Sequence, residues 1–140
     1  MLRKMSLFFL VLATAGFVLA AEPNPRDIKV SKGDPVAGQK VFAAMKCNAC
    51  HYVAGEEGQK YDNPVSTAPA PLLDFKLAAQ SPKDVATSIV APSHTVSSAI
   101  TEQSGGKLSP MASYAGLLDE RQLSDLVAYL QSFQAEKPKW

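Results

Sequence analysis

Cysteine is nearly absent: Cys47 and Cys50 are the only two, so no framework of several disulfides can be drawn. Clustered positive charge is lacking as well. The 14 Lys and Arg residues are scattered without a run of five, and the formal charge is +1, which argues against a phosphate-binding surface and so against a nucleic-acid partner. No stretch of useful length alternates apolar and polar residues, and no internal repeat is visible, so a strand-based or repeat architecture finds no support. No cysteine stands at the cleavage site that ends the apolar N-terminal run, so a lipoprotein anchor is not suggested.

What is present starts with that run. Met1 to Lys4 carry two positive charges, Ser6 to Leu19 are largely apolar, and the stretch closes on Val18-Leu19-Ala20. This is the pattern of a cleaved secretory signal peptide over residues 1–20, and it predicts a periplasmic protein. A retained anchor is the competing reading, but the run is shorter than the roughly 20 residues of a membrane-spanning helix, so no stable membrane insertion is expected after cleavage. Cleavage removes Arg3 and Lys4 and no acid, turning the charge from +1 into −1, and leaves 120 residues, enough for one domain. The mature chain divides into an N-terminal extension (21–33), a domain (34–134) and a tail (135–140), polar apart from Trp140.

The two cysteines stand in Cys47-Asn48-Ala49-Cys50-His51. A C-x-x-C pair alone suits a short disulfide, a thioredoxin-like redox pair or part of a zinc site. The following histidine alters the balance, because C-x-x-C-H is the attachment pattern for a c-type haem. Its spacing sets two thiols and an imidazole on adjoining turns of backbone. The thiols can form thioethers to the vinyl groups, and the tethered His51 can present its Nε2 to iron. A thioredoxin-like pair would follow a strand, whereas residues 34–46 read as helix. A zinc site drawn from Cys47, Cys50, His51 and His94 would have adjacent ligands at 50 and 51, unlike the usual spacings.

Three helices are predicted. Asp34 can cap the first, with Pro35 at its first position and Val36, Val41, Phe42 and Met45 as a partial apolar stripe ending at the cysteines. Gly38 within it costs roughly 0.5–1 kcal/mol against alanine, a cost that is either simply tolerated or explained by close approach of another helix. The second runs from Ser81, as cap, to about Ala91, with Val85 and Ile89 on one side and Pro92 as its stop. The last begins with a capping box at Asp119 and Gln122 and a Leu118–Leu123 staple. It buries Leu123, Leu126, Val127, Leu130 and Phe133 and turns Arg121, Ser124, Asp125 and Gln131 to water. The expected class is therefore all-α: three to four short helices and long loops wrapped around one covalently bound haem, which supplies apolar core that so few helices lack.

These residues carry a family resemblance. Gly33-Asp34-Pro35-Val36-Ala37-Gly38-Gln39-Lys40-Val41-Phe42, then Cys47 to His51, and Leu126-Val127-Ala128-Tyr129-Leu130 near the end, resemble the class I c-type cytochromes, small monohaem proteins of cytochrome c fold. The resemblance implies that the first and last helices cross at Gly38, Phe42 and Tyr129. It also implies that Ala70-Pro71-Leu72-Leu73 stands where the family has Gly-Pro-x-Leu, with the Pro71 carbonyl accepting the Nδ1–H of His51 and raising its basicity. Ala70 departs from the family's glycine.

The family takes its sixth iron ligand, usually a methionine, from the loop before the last helix. Here that position is Met111, with Pro110 before it rather than a proline after it. Met45 belongs to the first helix, and Met1 and Met5 leave with the signal peptide. His94, in Pro92-Ser93-His94-Thr95, is the rival ligand. With His51 and Met111 bound, the expected function is one-electron transfer between redox partner proteins, with no catalytic residue. Two other readings are a haem subunit of a larger oxidoreductase and a haem enzyme or gas sensor with an open or His-ligated distal site. Near-zero charge gives no strong steering of partners, although Lys40, Lys46 and Lys60 could form a local ring.

Overall fold

The computed structural model describes residues 21–51, 53, 70, 73, 75–94 and 108–133. The predicted signal peptide, Pro71, Lys60 and the tail lie outside them. Among the described residues the chain is all-α, with three α-helices and no strand. Helix α1 spans Pro35–Ala44, α2 spans Pro82–Val90 and α3 spans Glu120–Gln131. Short 3-10 turns cover Pro25–Asp27, Cys47–Ala49 and Phe75–Ala79.

Each helix begins where its sequence signals say. Asp34 accepts a hydrogen bond from the Val36 N–H (2.9 Å) and Ser81 from the Asp84 N–H (3.1 Å), each ahead of a proline that has no N–H to leave unpaired. Asp119 and Gln122 form the full capping box: the Gln122 N–H donates to Asp119 Oδ1 (2.7 Å) and the Asp119 N–H to Gln122 Oε1 (3.1 Å).

The core is organised by the crossing of α1 over α3. A side chain at Gly38 would collide with the backbone carbonyl of Asp125 and come within 2.7 Å of Tyr129 Cβ. A side chain at Gly33 would strike the Ser124 carbonyl. The two elements therefore touch backbone to backbone. One turn further on, the Phe42 and Tyr129 rings meet edge to face with centroids 5.5 Å apart, and Tyr129 meets Phe133 in the same way at 4.9 Å. Each such pair is worth about 0.5–1.5 kcal/mol beyond the area it buries. Leu126 and Val127 of α3 fill the centre, with Val85, Ala86, Ile89 and Val90 of α2 joining them in one cluster.

Two expectations need correction. Ser124 and Asp125 do not face water: they are 1 % and 6 % exposed. The apolar period of α3 is real, but the close approach of Gly33 and Gly38 covers the polar side of the helix too. The Ser31 N–H and hydroxyl both reach Ser124 Oγ (3.0 and 3.2 Å), and Ser124 Oγ donates to the Glu120 carbonyl (2.8 Å). The Asp34 N–H donates to Asp125 Oδ1 (2.7 Å), and Arg121 Nε to Oδ2 (3.1 Å). Gln131, half-buried, spends its amide on the carbonyls of Leu77 and Gln80. Conversely, Val36 is 64 % exposed and lies off the apolar stripe, which keeps Phe42 buried and Val41 half-buried.

The Asp34 N–H, and after it Arg121, hold the Asp125 carboxyl below the usual carboxylate range. Such a group stabilises the fold above its unfolded-state value, about pH 4, and ceases to do so as pH falls through its lower folded value. Asp125→Asn should therefore flatten the acid limb of the unfolding midpoint measured against pH, lowering the midpoint at neutral pH more than at pH about 2. Gly38→Ala forces two backbones apart and should cost about 3 kcal/mol or more in urea unfolding.

Candidate functional site

Helix α1 delivers the chain directly into the motif. Met45 closes the helix with its N–H on the Val41 carbonyl (2.9 Å), and Lys46 then adopts the left-handed conformation with φ 55°. That reversal costs a non-glycine residue roughly 1 kcal/mol or more and starts a new, tighter turn at Cys47. The Ala49 N–H returns to the Lys46 carbonyl (2.9 Å), and the N–H groups of Cys50 and His51 both reach the Cys47 carbonyl (3.2 and 3.0 Å). Cys47, Cys50 and His51 thus share one turn of backbone, all half-buried.

Both thiols are free. Burial, and secondarily the neighbouring Cys50 thiol, pushes the Cys47 thiol up to about 11. Cys47 packs against the apolar cluster, with Val53 buried just beyond the motif and Leu73 half-buried. An isolated parallel bridge joins Val53 to Leu73 and brings the end of Ala70-Pro71-Leu72-Leu73 alongside the chain leaving His51.

The segment before α3 also reaches the attachment turn. Tyr114 Oη donates to the Met45 carbonyl (3.4 Å), beside the attachment turn. Burial, followed by the nearby Cys47 and Cys50 thiols, raises the pKa of the Tyr114 hydroxyl. Three residues earlier, Met111 is half-buried, its N–H donating to Ser109 Oγ (3.2 Å). This segment is fastened to the end of α2: the Tyr114 N–H donates to the Ile89 carbonyl (3.2 Å) and Ser113 Oγ to the Val90 carbonyl (2.5 Å). Gly116, at φ 77°, turns the chain toward α3. His94 is exposed on the turn that ends α2, its N–H on the Ala91 carbonyl (2.9 Å).

The structure therefore gathers Cys47, Cys50, His51 and Tyr114 with the segment that carries Met111. Pro71 lies outside the described residues. Sequence reasoning missed the seryl contacts of Ser93, Ser109 and Ser113, since loop serines carry no period or spacing that announces a partner. Among the described residues, no three or more His, Cys, Asp or Glu side chains gather into a metal site. Two unpaired thiols one turn apart, an imidazole on the next residue and apolar surface around them fit a covalently tethered haem.

A family model described as Cytochrome c matches residues 35–134, from the first residue of α1 to just beyond α3. No curated protein and no solved structure gives a match. That family carries haem c covalently, and Cys47-Asn48-Ala49-Cys50-His51 fits its attachment. Mass spectrometry of the denatured protein should find the chain heavier by one haem. Cys47→Ala and Cys50→Ala should each retain it through the remaining thioether in reduced yield, and the double variant should release all of it.

Proposed function

Because the chain belongs to the cytochrome c family, whose members are haem-based electron carriers, we propose that it is a periplasmic one-electron carrier with a single haem, ligated axially by His51 and Met111. The observation that carries this reading is the Tyr114 contact with Met45, which ties the Met111 segment to the attachment turn. Met111 is half-buried in that segment, while the rival His94 is exposed. Export is read from residues 1–20, and no helix among the described residues is long and apolar enough to cross a membrane.

When bound, haem c supplies a one-electron ferric/ferrous couple. Cys47 and Cys50 tether it, and His51 offers an imidazole nitrogen whose tautomer the Pro71 carbonyl would fix. The bridge between Val53 and Leu73 supports that second assignment, since each bridge residue lies two positions past the residue concerned. Met111 offers a soft thioether, which favours ferrous iron and raises the reduction potential. With His51 and Met111 both offered to the iron, the chain would leave no site for oxygen or peroxide, and electron transfer would require no acid, base or nucleophile. Lys40 and Lys46 are exposed near the attachment turn and are available to a docking redox protein.

Optical spectra of the exported protein test the reading. The ferric wild type and His94→Ala should show the far-red sulfur-to-iron band, Met111→Ala should lose it, and carbon monoxide should bind only the reduced Met111→Ala protein. A wild type without the band that takes up carbon monoxide readily would transfer the assignment to a haem enzyme or gas sensor.

A further inference from the structure

Residues around Met111 have no regular element of their own, so their backbone groups must find partners elsewhere. They find them in a row of hydroxyls. The Met111 N–H donates to Ser109 Oγ (3.2 Å), and the Ser109 N–H donates to Ser93 Oγ (3.2 Å) on the turn that ends α2. The Ser93 N–H in turn donates to the carboxylate of Glu22 (3.2 and 3.3 Å). Ser93, Ser109 and Met111 are half-buried, and Glu22 is exposed.

Glu22 belongs to the N-terminal extension, which is anchored along its whole described length. The Arg26 carbonyl accepts from Lys83 Nζ of α2 (3.1 Å), Ile28 is buried in the core, and Ser31 is bonded to Ser124 of α3. The extension is thus a strap across α2 and α3 in which Glu22 grips the turn that holds the Met111 segment.

On the reading that Met111 binds iron, we propose that Ser93 and Ser109 are positioning residues for Met111 and that Glu22 braces them, so that the N-terminal strap governs how firmly the thioether stays on the metal. A methionine leaves iron when its loop moves away, and the frequency of that opening follows the local stability of the loop. Losing one hydrogen bond of this relay should raise the open population by about two- to tenfold.

The test is imidazole binding to the ferric, haem-loaded, full-length protein, followed by loss of the far-red band, because imidazole captures iron only when methionine has left. Ser109→Ala and Ser93→Ala should bind imidazole about two- to tenfold more tightly than wild type, and Ser109→Thr, which keeps the hydroxyl, should return toward it. Glu22→Ala should shift in the same direction and, being at an exposed side chain, carries the test should a serine variant not accumulate. Ser88→Ala removes an exposed α2 hydroxyl that bonds the Asp84 carbonyl of its own helix (3.0 Å) and should leave the affinity unchanged. Wild-type affinity in folded Ser93→Ala, Ser109→Ala and Glu22→Ala proteins would overturn the relay while leaving Met111 a ligand. If Met111→Ala binds imidazole no more tightly than wild type, the ligand assignment fails and the relay falls with it.

Discussion

The crossing of α1 over α3 at Gly38 is the contact on which the other arrangements rest. It lets two helices from opposite ends of the domain meet without side chains between them, and that closeness has two effects. It brings Phe42 against Tyr129, closing the apolar core. It also brings the N-terminal cap of α1 onto α3, where Asp125 accepts the Asp34 N–H and Ser124 meets Ser31. Because α1 runs straight into the attachment turn, its orientation on α3 sets the orientation of Cys47, Cys50 and His51.

The second half of the site hangs from a different support. Helix α2 is held to α3 by Val85, Ala86, Ile89 and Val90; its last turn offers carbonyls, and Ser93 just after it a hydroxyl, to the segment 108–115. The attachment turn is thus positioned by a backbone-on-backbone helix contact, and the Met111 segment by hydrogen bonds to the end of α2 and the turn after it. The first kind resists displacement over its whole length, while the second gives way one bond at a time. On the proposed ligation, strong fixation of the thiols with looser fixation of the Met111 segment would suit a permanent tether paired with a ligand bond of modest strength.

Much of this was legible in the residues themselves. Helix starts are local chemistry: Asp34 with Pro35, Ser81 with Pro82, and Asp119 with Gln122 each satisfy N–H groups within three residues, so spacing alone reveals them. Cys47, Cys50 and His51 fall within five consecutive residues, and Gly38 stood out as a glycine inside a helix pattern. Burial of Ser124 and Asp125 was not legible, because periodicity assigns polar residues to water and cannot see a second helix covering them. Nor was the alignment of Ser93, Ser109 and Glu22, whose partners lie 16 and 71 residues apart along the chain. Met111 is proposed from its position in a family pattern rather than from any property of its own neighbours.

The separation between Asp34 and its partner Asp125, 91 residues, has a consequence for how the domain folds. Helix α1 is only 10 residues long, and a helix of that length is marginal in water on its own. It takes a stable form only against α3, so the turn that follows it acquires its fixed shape late, when both ends of the domain have met. The geometry of the two thiols is thereby a property of the complete domain and not of the segment that contains them.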